Sequence, residues 1–233
     1  MIKRHALIIG CPNVNGQEKL PGAQIDVDAW KNFLLSNHGG GWYHNEITVL
    51  TNPTPQEVHS KIKDMPDGYS FITFSGHGYV DSSSSTMICL QGGNVSELDL
   101  VPSSARTTVI LDSCRGLLQV KALKESLEML RHEVAVDREK FRDRFDIALE
   151  HAEKGICRIY GCAFEQAAQE SKAGGDFTQA LVLTGVNWSG PGVLSLRAAF
   201  DTAEKVVRSK KSQQTPECQL GRRIHHFPFA VYD

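Results

Sequence analysis

Two short segments of this sequence carry the residue types of nucleophilic catalysis. Phe71-Ile72-Thr73-Phe74 runs into Ser75-Gly76-His77-Gly78, and Val109-Ile110-Leu111 runs into Asp112-Ser113-Cys114-Arg115-Gly116. Each is an apolar, β-branched run that ends in a turn, the pattern of a buried strand opening into a loop. If the two strands are parallel neighbours, His77 and Cys114 stand together at one sheet edge, where a histidine can take the proton of a thiol. Gly76 and Gly78 let the backbone come close to a substrate, and the amides of Gly78 and Cys114 can form an oxyanion hole. A lone histidine or cysteine after a strand is ordinarily a cap or a buried thiol. The two together, each at a strand end among turn glycines, point to chemistry.

The elements that must position them follow from periodicity. His5 to Gly10, Glu46 to Leu50, Tyr69 to Phe74, Thr107 to Leu111 and Ile156 to Gly161 are near-continuous apolar runs. Such runs belong to strands buried on both faces, as in a mostly parallel sheet covered by helices. A sixth run, Phe227 to Tyr232, contains Pro228 and suits an edge strand. Between them, Asp26 to Leu35 places Val27, Trp30, Phe33 and Leu34 on one helical stripe, and Pro55 to Met65 does the same with Val58, Ile62 and Met65. Thr54 before Pro55 is a helix cap followed by proline at the first helical position. Strands alternating with helices predict a doubly wound α/β sandwich, with a central six-stranded, mostly parallel sheet and helices on both faces.

The whole chain of 233 residues reads as a single domain, 1–233. With 41% hydrophobic and 22% charged residues and a formal net charge of −2, it has neither a disordered composition nor a field that would attract nucleic acid or an anionic membrane. Met1 to Gly10 holds too short an apolar run for a signal peptide or a membrane span, so a cytoplasmic location is expected. The six cysteines at 11, 89, 114, 157, 162 and 218 include no pair with two residues between them, and His225-His226 has no matching cysteine pair nearby. No metal site and no cofactor are predicted, and five of the thiols read as structural. One segment stands apart: 117–154 carries 8 Lys or Arg and 9 Asp or Glu in 38 residues. Leu123, Leu127, Leu130 and Val134 follow one stripe in it, and Phe141, Phe145 and Leu149 another. It reads as a solvated helical insertion, either a crossover with a charged outer face or a regulatory linker.

The motifs together resemble the caspase and metacaspase superfamily of cysteine peptidases, with details nearer metacaspases and prokaryotic caspase-like proteases. In the caspase signature the nucleophile is followed by Arg, Gln or Gly and then Gly, with the histidine about 50 residues upstream. Cys114-Arg115-Gly116 matches its downstream half, Asp112-Ser113 replaces the upstream half, and the spacing to His77 is 37 residues. Leu20-Pro21-Gly22-Ala23-Gln24-Ile25-Asp26 resembles the family's entry into its first helix. Ser75-Gly76-His77-Gly78 looks like its histidine motif, and Gly175-Asp176-Phe177-Thr178-Gln179-Ala180-Leu181 like the stretch after its fifth strand. The resemblance runs from His5 to about Tyr232.

That resemblance implies a cysteine endopeptidase with a His77/Cys114 dyad. It also implies an acidic pocket for the residue before the cleaved bond, at Ala23, Asp26, Ser75 and Asp112. Two carboxylates there would select Arg, and secondarily Lys, through charge-assisted hydrogen bonds. The rival readings place Asp26 in a first helical turn, stabilised by the helix dipole, and Asp112 in a turn bonded to local amides. Many metacaspases bind calcium, but Asp81, Glu97 and Asp99 are too sparse for a six-oxygen cage, so activity without calcium is expected. No recruitment prodomain is expected ahead of a strand that begins at residue 5, so targeting or activation falls to another protein. The 117–154 segment occupies the place of an activation linker, and Arg131, Arg138, Arg142, Arg144 and Lys154 offer cut sites to the enzyme itself or to an upstream activating protease. A compact zymogen of this kind suits a regulated proteolytic cascade, such as antiviral defence. Two alternatives remain within the family: a catalytically silent binding module, and a protease with acidic-residue specificity. A nucleotide-binding protein is disfavoured because Gly10-Cys11-Pro12-Asn13 lacks the glycine spacing of a pyrophosphate cradle.

Overall fold

A computed structural model of the chain describes residues 2–113, 138–164, 166, 170–171, 174–210 and 214–232. In chain order its elements are β1 (Arg4–Cys11), α1 (Pro21–Leu35), β2 (Ile47–Thr51), α2 (Pro55–Lys63), β3 (Tyr69–Gly76), β4 (Gly78–Val80), β5 (Thr86–Leu90), β6 (Gly93–Ser96), β7 (Arg106–Ser113), α3 (Arg138–His151), β8 (Gly155–Tyr160), β9 (Glu170–Ser171), β10 (Gly174–Gly175), α4 (Asp176–Val186), β11 (Val193–Ser195), α5 (Leu196–Ser209), β12 (Glu217–Gln219) and β13 (Pro228–Val231). The central sheet has six strands in the order β12-β8-β7-β3-β1-β2. All its pairings are parallel except β12 with β8.

Three of the five apolar runs, β1, β3 and β7, are covered on both faces, β8 is buried in part, and β2 lies at an edge of the sheet with Val49 exposed. Ala6 and Ile8 of β1 join the cluster formed with Trp30 and Phe33 of α1, Phe145 of α3, Phe177 of α4 and Phe200 of α5. Leu7 and Ile9 point the other way, into the cluster with Val58 and Ile62 of α2 and Ile88 and Leu90 of β5. The alternation of a strand therefore distributes one continuous run between two cores. Thr54 caps α2 as its sequence predicts: its hydroxyl accepts the Glu57 amide at 3.3 Å while the Glu57 carboxylate accepts the Thr54 amide at 2.7 Å.

The sixth strand is not the expected one. Phe227 to Tyr232 supplies β13, which pairs antiparallel with β11 in a separate ribbon and buries Phe227, Phe229 and Val231 in the helix-covered core. The central sheet ends instead in β12 at one edge and β2 at the other, and β12, only Glu217, Cys218 and Gln219, is too short to show a period. α1 begins at Pro21, earlier than predicted, with proline in its first turn; Asp26 thus lies in the second turn and is not a first-turn dipole partner.

The charged insertion is also corrected in part. Leu123, Leu127, Leu130 and Val134 lie outside the described residues, but α3 is a crossover helix buried against the core. Phe141, Phe145 and Leu149 form its apolar face, and two of its charges are buried with them. Asp146 Oδ1 is 3.3 Å from Arg4 Nε, their side chains 6% and 0% exposed, and the Arg4 guanidinium lies over the Trp42 and Phe145 rings. Arg142 grips Glu46 with two hydrogen bonds of 2.8 and 2.5 Å. Removing one member of a buried ion pair leaves the other charge unpaired in the interior. Asp146→Ala is therefore expected to cost about 3 kcal/mol, read as a lower midpoint in urea at unchanged slope.

Candidate active site

Parallel pairing puts the carboxyl ends of the central strands level with one another. Cys11 of β1 is the register partner of Gly76, and Gly76 that of Ser113. One step back, Gly10, Ser75 and Asp112 form a row. Ligands of open α/β sheets bind at this edge, and His77 stands on it directly after Gly76. Cys114, Arg115 and Gly116 lie outside the described residues, one step beyond Ser113.

His77 is fixed through its backbone and its ring. Its carbonyl accepts the Cys89 amide at 2.9 Å, which ties the turn to β5. Its Nε2 lies 2.6 Å from the carbonyl oxygen of Glu18. A carbonyl can only accept, so Nε2 carries the hydrogen and, in the neutral ring, Nδ1 is the basic nitrogen. The Glu18 carbonyl is a site group that sequence reading missed, because a backbone oxygen leaves no residue signature. Gly78 has no room for a side chain: a Cβ there would meet Ser113 Oγ at 2.7 Å and Met87 O at 2.9 Å. The backbone directly after the histidine thus passes hard against Ser113, the residue before Cys114 in sequence.

The other thiols are poor nucleophiles or structural. Burial pushes Cys11 up to about 12 and Cys157 up to about 11, so both stay protonated at neutral pH. Cys162 lies 3.3 Å from the Ser113 carbonyl and 3.2 Å from that of Gln166, bracing the end of β7 from the side of β8.

Three of the four predicted pocket residues meet. Asp26 is 0% and Asp112 5% exposed. Ser75 Oγ donates to Asp26 Oδ2 at 2.5 Å, and the Gly175 amide donates to both Asp26 oxygens at 3.0 Å. Gln179 Nε2 donates to Asp26 Oδ1 at 3.1 Å. Asp112 Oδ2 accepts the Thr178 amide at 2.9 Å, while its buried Oδ1 has no hydrogen-bond partner among the described residues. The local turn proposed as a rival partner for Asp112 is thus replaced by the first turn of α4. A Cβ on Gly175 would stand 2.3 Å from Asp112 Oδ2 and 3.2 Å from Asp26 Oδ2, so both acids close on the same glycine. Ala23, buried one turn before Asp26 on α1, brings only a methyl group.

The electrostatics follow from that crowding. Burial, then the neighbouring Asp112, push the Asp26 carboxyl well above the ordinary range, against the pull of its donors. Burial raises Asp112 to about 6, against the Thr178 contact. Among the described residues no lysine or arginine forms an ion pair with either acid. Lys210 pairs instead with Asp176 at 2.9 Å, at the start of α4.

Gly161, Gly175, Thr178 and Gln179 are pocket residues that the motif reading did not single out as site groups. Their signal was faint: a glycine at a strand end, and a Gly-Gly pair entering a helix. Among the described residues no three His, Cys, Asp or Glu side chains gather as a metal site. Asp81 holds its own turn through Ser83 and Ser85, and Glu97 accepts Tyr160 Oη at 2.6 Å. None of the described helices is long and apolar enough to cross a membrane.

Comparison with known proteins agrees with this architecture. The family model for the caspase domain matches residues 3–226. The crystal structure of caspase-1 from Spodoptera frugiperda superposes with a TM-score of 0.64 at 14% identity, covering 94% of this chain and 87% of that one. At that identity the likeness is one of fold. No curated protein matches the sequence.

Proposed function

The chain belongs to the caspase-domain family of cysteine peptidases, and from that membership we propose that it is an endopeptidase cleaving after a basic residue, arginine before lysine. His77 Nδ1 takes the proton of the Cys114 thiol, while the Glu18 carbonyl holds the opposite ring nitrogen. The thiolate attacks the peptide carbonyl and its C–N bond breaks; the amine leaves with the proton from His77, and water hydrolyses the resulting thioester. The Gly78 and Cys114 amides face the oxyanion. The observation that carries the specificity is Asp112 Oδ1, a buried carboxylate oxygen without a hydrogen-bond partner among the described residues, next to a second buried acid that is likewise in no ion pair there. A guanidinium or ammonium supplies what this site lacks.

The test is a panel of fluorogenic peptides ending in Arg, Lys or Asp, run on the wild type and Cys114→Ala. Cleavage after Arg that vanishes in the variant supports the proposal. Cleavage after Asp moves it to acidic specificity, and no cleavage by either protein, even after a cut between 117 and 137, leaves a binding module. Activation by such a cut is part of the proposal, with the upstream protease or the enzyme itself as its agent. α3 narrows the place: Arg142 is buried and paired, and Arg138 and Arg144 are half-buried on the same helix. Arg131 lies outside the described residues, and Lys154 is exposed in the turn before β8.

The pocket also sets a pH dependence. Below about 6 Asp112 is protonated and no longer attracts a cation. The ratio of kcat/KM for an Arg peptide to that for a matched citrulline peptide should therefore rise as pH increases through about 6. Stability has the opposite sign. A carboxyl that binds its proton more tightly when folded contributes stability that is complete below its ordinary value near 3.8 and is lost as pH rises to about 6. A flat selectivity ratio between pH 5 and 7 would count against Asp112 as the charge-reading group.

A further inference from the structure

Two positions after His77 stands an aromatic side chain that the mechanism does not use. In the antiparallel sheet of β4, β5 and β6, Tyr79 pairs with Met87, Met87 with Ser96, and Cys89 with Asn94. Alternation along the strands puts these residues on one face, while Ile88, Leu90 and Val95 of the other face enter the core. The ladder extends back to the histidine, whose carbonyl accepts the Cys89 amide, so the His77 ring belongs to the same face as Tyr79. The loop before α1 agrees with that placement: Gln17 bonds the Cys89 thiol, and the carbonyl of the next residue, Glu18, holds the His77 ring. Tyr79 reaches across β5 toward the row of Cys89, where Asn94 Nδ2 of β6 donates to its hydroxyl at 3.2 Å. The ring is therefore fixed at its far end, yet the residue is 42% exposed.

A tethered aromatic ring left open to solvent offers a large contact area with little conformational freedom still to lose. Successive residues on one face of a strand stand about 7 Å apart, so the ring lies a side-chain length from His77. In the hydrolysis proposed above, the departing amine takes its proton from His77, and the residue after the cleaved bond must stand beside that imidazole. β4 is the outer strand of its sheet and pairs only with β5 among the described residues, which leaves a peptide room to run alongside it. We propose that Tyr79 is a specificity-determining residue: its ring receives the side chain that follows the cleaved bond and favours a large apolar or aromatic one. This rests on the endopeptidase reading above, but not on the acidic pocket, which serves the residue before the bond.

The experiment uses internally quenched peptides that share Arg before the bond and differ only in Phe or Gly after it, together with a fluorogenic Arg amide that has no residue there. The enzymes are the wild type, Tyr79→Ala and Tyr79→Phe. The wild type is expected to cleave the Phe peptide with a kcat/KM about tenfold above that of the Gly peptide, the worth of one aromatic contact. Tyr79→Ala should bring that ratio to about one, whereas Tyr79→Phe, which keeps the ring and loses only the Asn94 bond, should hold it within about twofold of the wild type. If Tyr79→Ala does not fold, Tyr79→Thr, a residue suited to a strand, takes its place with the same expectation. A Phe to Gly ratio of one in the wild type, or a ratio that survives the loss of the ring, overturns the role of Tyr79, while cleavage of the Arg amide leaves the proposed function standing. A wild type that cleaves none of these substrates, even after a cut between 117 and 137, overturns the proposed function and this inference with it.

Discussion

His77→Ala lowers kcat/KM for an Arg-ending peptide by about three orders of magnitude, with the far-ultraviolet spectrum and urea midpoint close to those of the wild type. The loss is chemical because little of the fold depends on the ring. Among the described residues its ring has one hydrogen bond, to the Glu18 carbonyl, and the bond that ties this turn to β5 uses the His77 backbone carbonyl, which alanine retains. Without the imidazole the Cys114 thiol has no base beside it, and only the small ionised fraction of an ordinary thiol reacts at neutral pH. The rate of Cys114 alkylation by iodoacetamide, followed against pH, reads this directly. At neutral pH the thiol should be alkylated faster in the wild type than in His77→Ala. Equal alkylation profiles in the two proteins would remove His77 from the mechanism.

Gly161→Ala should abolish the preference for arginine while sparing the dyad. The glycine does not have the left-handed backbone that would itself forbid alanine, so the effect is steric. The new methyl would lie 2.4 Å from Asp112 Oδ1 and 3.1 Å from its Cγ. It fills the space in front of the bare oxygen or forces the carboxylate aside. Displacing a binding group by about an ångström is worth roughly a hundredfold in rate, and overpacking of this kind costs about 1–3 kcal/mol of stability. The variant is expected to lose Arg cleavage by about a hundredfold while keeping the wild-type rate of Cys114 alkylation. Full Arg cleavage by Gly161→Ala would mean that the cation binds elsewhere.

How much of this was legible in the residues depends on which chemical groups do the work. β1, β3 and β7 were readable because burial on both sides writes an unbroken apolar run, as where Ala6 and Ile8 face one core and Leu7 and Ile9 the other, and the less buried β2 and β8 were readable from their β-branched residues. β12 was not readable, since Glu217, Cys218 and Gln219 are placed by pairing with β8 and not by their own burial pattern. The apolar stripe of α3, Phe141, Phe145 and Leu149, was legible, but its buried Arg142 and Asp146 were not, because in sequence they look like any exposed charges. Their partners Glu46 and Arg4 are about a hundred residues or more away in the chain. The placement of Ser75, His77 and Asp112 at one sheet edge was legible because they stand at the ends of recognisable strands, and that of Asp26 beside Ser75 because it belongs to a motif. The Glu18 carbonyl and the Gly175 and Thr178 amides were not, since every residue has a backbone. Gln179 was hidden by distance: its partner Asp26 lies 153 positions earlier.

The course of the chain on either side of 114–137 has a consequence for what a break there would do. The chain enters the interval from β7, which is paired on one side with β3 and on the other with β8. It returns through α3, which is joined to Glu46 and Arg4 near the beginning of the sequence. A polypeptide severed between these points would be two molecules by mass and one particle in solution. Its central sheet would be shared, with β2, β1, β3 and β7 from the first piece and β8 and β12 from the second. The seam would run through the hydrophobic interior and not across a surface, so the pieces would be obligate partners, neither of them a domain in its own right.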